Sequence, residues 1–171
     1  DNDERREIEL LFERAISSVG WSSDSGILYQ MYADFIKNWP DANIDPEYKR
    51  NAMRSVYQRA MPVPTAGLDK LWNEYQSYEL SLGEHQAKEI LPEHEQKCLS
   101  SRSLYSIRTK LCARMDKMRF AVPPSKSSKE MEQLDLWNRY IRYECSNPNN
   151  LSTNDLYNCI IMLYEQCLCC F

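Results

Sequence analysis

Seven cysteines, two histidines and four glycines are the residues of this 171-residue chain with the most obvious chemical potential. Cys167, Cys169 and Cys170 crowd the end of the sequence. A zinc site wants four ligands, usually paired at short spacing in a loop. These three fall on a predicted helix, where neighbouring side chains point in different directions. They read as ordinary buried thiols, as do Cys145 and Cys159, which sit near apolar positions. A cysteine nucleophile needs a base within reach. His85 and His94 lie on either side of Pro92, and neither is marked by its neighbours as poised. Gly20, Gly26, Gly67 and Gly83 are isolated, so there is no glycine-rich phosphate loop. Glu93 and Glu95 fit a solvated helix face. These residues predict no catalysis, no cofactor and no metal.

A second kind of chemistry is charge. From Lys97 to Arg119 the chain carries Lys97, Arg102, Arg108, Lys110, Arg114, Lys117 and Arg119, against Asp116 alone. Lys110, Arg114 and Lys117 share a face if the segment is helical. Such a stripe suits the RNA backbone or an acidic partner. It equally suits a solvated face opposite Leu104, Ile107, Leu111 and Met118. No aromatic interleaves the basic face as base stacking would require.

The elements that position these residues follow from composition and period. Hydrophobic residues make up 43% and charged residues 27%, which excludes a disordered chain. Few glycines argue against an all-β fold. A formal net charge of −4 excludes a histone-like polycation. No apolar run approaches a bilayer-spanning length, and the N-terminus has no signal-peptide pattern. There is no initiating Met, so the sequence reads as a piece of a longer protein. The odd number of cysteines, none in the first half, is a poor disulfide framework and implies a reducing, intracellular compartment.

Apolar residues recur at three and four throughout, so the expected fold is all-α. Ile8, Leu11, Phe12, Ala15 and Val19 form a first helix ended by Gly20. Leu28 to Trp39 form a second, stopped by Pro40. Asp45-Pro46-Glu47 starts a third, with a side-chain cap and a proline in the first turn, carrying Tyr48, Val56, Tyr57 and Ala60. Leu68 to Leu82 make a fourth, ended by Gly83. His85 to Leu91 give a turn or two before Pro92, which is expected to kink or break the helix. The pattern resumes from Glu93 to Met118. Residues 122–129 read as a loop, followed by a helix around Trp137, ended by Asn147-Pro148. Ser152 caps the last helix, which carries Leu156, Ile160, Leu163 and Tyr164.

The helices alternate between two kinds. Leu71-Trp72-Asn73-Glu74-Tyr75-Gln76-Ser77-Tyr78-Glu79 aligns without a gap on Leu136-Trp137-Asn138-Arg139-Tyr140-Ile141-Arg142-Tyr143-Glu144. Leu28 to Ile36 fits the same frame, with Tyr29 for Trp and Ile36 for Glu. The other kind ends in an aromatic, a polar pair and a small residue. Examples are Phe12-Glu13-Arg14-Ala15, Tyr57-Gln58-Arg59-Ala60 and Tyr164-Glu165-Gln166-Cys167. A hairpin of the two has too little apolar surface to stand alone, and stacking hairpins buries a continuous core. The expected architecture is therefore a solenoid, or superhelix, of antiparallel helix hairpins. It forms a single domain, 1–171, with hairpins at about 25–61, 67–119 and 130–171, and a leading half-repeat at 1–19. Trp72, Tyr75, Trp137, Tyr140, Tyr32, Tyr57, Tyr164 and Phe12 are the expected core.

These motifs resemble HAT repeats, the half-a-TPR units of RNA-processing proteins. Trp72/Tyr75/Glu79 and Trp137/Tyr140/Glu144 match the first helix of the repeat, and Tyr57/Arg59/Ala60 the second. In order and spacing, Arg54 to Ala60, Leu71 to Tyr75, Val122-Pro123-Pro124, Trp137 to Pro148 and Tyr164 to Leu168 are similar to the suppressor-of-forked family. That family is the large HAT subunit of the cleavage stimulation factor. Departures are Tyr29, Ile36, Gln166 and Pro92. The resemblance implies a nuclear scaffold in pre-mRNA 3′-end cleavage and polyadenylation, binding proteins rather than catalysing. Implied partners are an RNA-recognition subunit, a WD-repeat subunit and the polyadenylation specificity factor, with pre-mRNA contacted indirectly. Full-length members form a homodimer through a later segment that is not matched here, and no membrane is involved. A HAT scaffold of the spliceosome or of pre-rRNA processing, and direct RNA binding through residues 97–119, remain alternatives.

Overall fold

The computed structural model describes residues 2–40, 44–117, 123 and 125–171. Among them are seven α-helices and no strand: α1 (Asn2–Val19), α2 (Gly26–Lys37), α3 (Pro46–Ala60), α4 (Leu68–Leu82), α5 (Glu84–Cys112), α6 (Ser128–Cys145) and α7 (Thr153–Cys170). The starts follow the sequence signals. The Asp45 carboxylate accepts the Glu47 amide at 3.0 Å with Pro46 in the first turn. Ser127 accepts from Glu130 and Ser152 from Asp155, each capping the helix behind it. After α6, Asn147 turns the chain at a φ of 54°, and its side chain both accepts from and donates to the Leu151 backbone.

The chain divides into two compact units, Asp1–Tyr105 and Ser106–Phe171. In the first, α1 packs on α2, and α2, α3 and α4 pack on one another. The stripe Tyr29, Tyr32, Ala33 and Ile36 of α2 meets Met53, Val56, Tyr57 and Ala60 of α3 and Leu71, Trp72 and Tyr75 of α4. Phe12 lies flat on Tyr32, with ring centroids 4.7 Å apart. Ala60 is fully buried, as a small residue must be where a helix approaches its neighbour closely. In the second unit, Trp137, Tyr140 and Ile141 of α6 pack on Cys159, Leu163 and Cys170 of α7.

The entry to α2 is a close approach. The Gly26 amide donates to the Thr65 hydroxyl at 2.7 Å, and Thr65 in turn donates to the Ser23 carbonyl. A Cβ on Gly26 would stand 1.9 Å from the backbone oxygen of Ala66. Gly26→Ala must separate the two loops, and we expect it to cost about 1–3 kcal/mol in urea denaturation. A variant as stable as the parent would contradict this approach.

Three expectations are corrected here. Pro92 does not break its helix: α5 runs through it without interruption. Both Pro92 and Lys88, whose carbonyl loses its partner, are exposed, so water can satisfy that carbonyl. The opposite face, Ala87, His94, Cys98 and Ser101, is buried on both sides of the proline, and packing outweighs the roughly 3 kcal/mol penalty. Second, α5 ends at Cys112, well before Met118, which lies with residues 119–122 and 124 outside the described residues. Its buried face is also not the apolar one proposed: Ile107 is exposed, while Arg108 is buried. Third, Tyr164 is 51% exposed and Leu163 is buried in its place. Tyr57, its counterpart in the repeat, is covered by Tyr75 and Tyr78 of the following helix. Cys145 and Cys169, expected among the buried thiols, are exposed as well.

Candidate functional site

Trp72, Tyr75 and Glu79 stand at i, i+3 and i+7, so all three share the face of α4 that enters the core. Glu79 is 0% exposed. A buried carboxylate requires a partner, and Arg54 of α3 provides one in a two-pronged pair: Nε on Oε1 and Nη2 on Oε2, both at 2.7 Å. The arrangement recurs in the second unit. Trp137, Tyr140 and Glu144 line the inner face of α6, and Arg108 of α5 holds Glu144 with the same fork at the same 2.7 Å distances. That second pair is the more deeply buried, with side chains 4% and 3% exposed. In α2 the Glu position is Ile36, fully buried, and the position three before Phe12, which corresponds to Arg54, holds Glu9 rather than an arginine. Cation and carboxylate are thus present together or absent together.

The remaining signature residues are joined to the same frame. Arg59 reaches across to Glu13 of α1 at 2.8 Å and holds that carboxyl below the usual range. The Tyr75 hydroxyl accepts from Gln58 at 3.0 Å, and burial pushes its pKa up to about 12. The Tyr57 hydroxyl donates to Glu74 at 3.3 Å. Sequence reading did not single out Arg54 or Arg108 as partners. The available signal was a glutamate on the core face of two helices, which demands a buried cation.

The basic segment loses much of its apparent freedom. Lys97 pairs with Glu93, Arg102 with Asp69, Arg108 with Glu144, and Arg114 with Glu132. The Lys117 ammonium stands over the Tyr140 ring at 5.5 Å. Arg119 lies outside the described residues. Because α5 ends at Cys112, Lys110, Arg114 and Lys117 do not form one helical stripe. Lys110 alone of these three is exposed without an ion-pair partner or ring contact among the described residues.

No cysteine among the described residues is in a disulfide, and no cluster among them could hold a metal. Burial pushes the Cys159 thiol up to about 11, and raises Cys98, Cys112 and Cys167 as well, against nucleophilic use. His94 is buried edge-on to Tyr75, with ring centroids 5.7 Å apart, and its Nδ1 has no hydrogen-bond partner. Burial, reinforced by Lys97, lowers its pKa, against the opposing pull of Glu93 and Glu79. A depressed folded pKa means that the unfolded chain binds the proton more readily. Stability is therefore full above the unfolded value of about 6.5 and falls as pH drops below it. His94→Gln is expected to flatten that part of the profile between pH 7.5 and 5. A parallel fall in both proteins would remove His94 as the cause.

The suppressor of forked protein (Suf) family profile matches residues 1–171, the whole chain. The chain belongs to the suppressor of forked family. Among its relatives is cleavage stimulation factor subunit 77 of Arabidopsis thaliana, 33% identical over 93% of this chain and 22% of that protein. The mRNA 3′-end-processing protein rna14 of Aspergillus fumigatus is 30% identical over 96% of this chain and 17% of that protein. Protein suppressor of forked of Drosophila melanogaster is 27% identical over 92% and 21%. A crystal structure of CstF-77 superposes with a TM-score of 0.71 at 20% identity, covering 92% of this chain and 31% of that one. The chain thus spans about a fifth of the length of these curated relatives. The all-α hairpin solenoid of the HAT type expected from the sequence is the fold of this family member.

Proposed function

We propose that this chain is a scaffold segment of the machinery for pre-mRNA 3′-end cleavage and polyadenylation, acting through protein–protein contact within the cleavage stimulation factor. The observation that carries this reading is the likeness, over more than nine-tenths of the chain, to plant, fungal and insect proteins named for that process. The frame of the molecule agrees with it. Its buried charges are held in interhelical ion pairs, and burial raises the Cys98, Cys112, Cys159 and Cys167 thiols, so it displays surface rather than a reaction centre. Partners of the segment are other processing factors: the RNA-recognition subunit, the WD-repeat subunit and the polyadenylation specificity factor. Contact with pre-mRNA is indirect, since the cations of residues 97–119 are largely paired within the chain. The segment works in the nucleus.

The test is complementation. Cells depleted of the full-length protein are supplied with the intact gene or with one lacking residues 1–171, and transcript ends are sequenced. Read-through past polyadenylation sites in the truncated line is expected. Normal 3′ ends with retained introns or unprocessed pre-rRNA would move the protein to another complex.

A further inference from the structure

Between α3 and α4 lies an open cleft of about 950 Å³, at the upper end of the ~300–1,000 Å³ typical of ligand clefts. One face of each helix lines it. From α3 come Pro46, Lys49, Arg50, Met53 and Tyr57; from α4 come Lys70, Asn73, Glu74, Ser77, Tyr78 and Leu82. Steps of three and four over three turns make it about 17 Å long at ~1.5 Å per residue. That is room for three turns of helix or about five residues of extended chain at ~3.3 Å each.

The cleft has two chemical parts. Met53, Tyr57, Tyr78 and Leu82 give it an apolar floor. Around the floor stand Lys37, Lys49, Arg50 and Lys70 against a single carboxylate, Glu74. This excess of positive charge occurs in a chain whose net charge is −4. Glu74 is already engaged: it accepts from Gln30 at 2.8 Å and from Tyr57, with Lys70 3.8 Å away. Lys37 and Arg50 are exposed and have no ion-pair partner among the described residues. Two unspent cations beside an apolar floor are complementary to an apolar side chain with acidic neighbours.

We propose that this cleft docks a short acidic, amphipathic segment of a partner protein. A large apolar or aromatic side chain seats on Met53, Tyr57 and Tyr78, and flanking Asp or Glu residues reach Lys37 and Arg50. The inference stands whichever complex the chain serves. RNA fits less well. The apolar floor interrupts any continuous track of cations.

The test uses the 171-residue chain and a phage-displayed library of random 12-residue peptides, with the selected peptides then titrated by fluorescence anisotropy. Selected peptides should pair a large apolar residue with Asp or Glu and bind less tightly as salt rises. Lys37→Glu/Arg50→Glu should weaken them by about tenfold or more, equivalent to ~1.4 kcal/mol. Asn73→Trp, an exposed wall position, should block the cleft with the charges intact. Both variants should keep the parent helical circular dichroism, and either alone suffices for the comparison. The proposal is overturned by a library that yields no binders or basic ones, by peptides indifferent to both variants, or by a 12-nucleotide oligouridine that binds the cleft more tightly than the acidic peptides.

Discussion

Glu144→Ala should destabilise the second unit by about 3–5 kcal/mol, because it removes the carboxylate that balances the charge of the buried Arg108 guanidinium. Glu144 and Arg108 are both nearly inaccessible, and the fork between them uses two hydrogen bonds of 2.7 Å. The asymmetry of buried pairs sharpens the prediction. Removing one partner leaves a charge without compensation, whereas replacing both with apolar residues of similar volume is often neutral or stabilising. Arg108→Met/Glu144→Leu should therefore be closer to the parent than either single change. Urea denaturation followed by circular dichroism measures all four proteins. A parental midpoint for Glu144→Ala would mean that the pair is not buried as described. A double variant worse than both singles would mean that the fork itself, rather than relief of a stranded charge, carries the stability.

Trp137→Ala should cost about 3–5 kcal/mol by the same measurement, the range for a large aromatic emptied from a core. Trp137 is 1% exposed and its indole N–H has no hydrogen-bond partner, so packing alone accounts for its contribution. Trp137→Phe should accordingly cost less. Tyr164→Ala is the contrast: an aromatic of the same repeat pattern that is 51% exposed, expected to shift stability by no more than about 0.5 kcal/mol. Equal losses at Trp137 and Tyr164 would contradict the packing of α6 on α7.

Much of this arrangement is readable along the chain. Asp45-Pro46, Ser152 and the Asn147 turn announce helix boundaries through chemistry local to a few residues, and the structure uses each of them. The Trp72/Tyr75 and Trp137/Tyr140 steps likewise mark a core face by spacing alone. What spacing does not carry is the identity of the neighbour. Arg108 looks like one more cation in a basic run because the carboxylate that claims it lies 36 residues away. Tyr164 matches Tyr57 in sequence, yet burial depends on what covers each, and that is decided by a different helix. Pro92 shows the same limit from the other side. Its local cost is real, but the buried stripe from Ala87 to Ser101 settles the outcome at a distance.

The two arginine–glutamate forks also bear on how such an array can be rearranged. Repeats that look alike are commonly thought of as interchangeable modules, to be duplicated, deleted or shuffled. Here they are not. If the segment carrying Ile36 were moved to the place of the segment carrying Glu79, Arg54 would face an aliphatic side chain with its charge unmatched. The reverse exchange would bury a glutamate against the helix that holds Glu9 at the position corresponding to Arg54. Charge therefore fixes the order of the hairpins, and a shuffled or shortened array must change both halves of each fork together to fold.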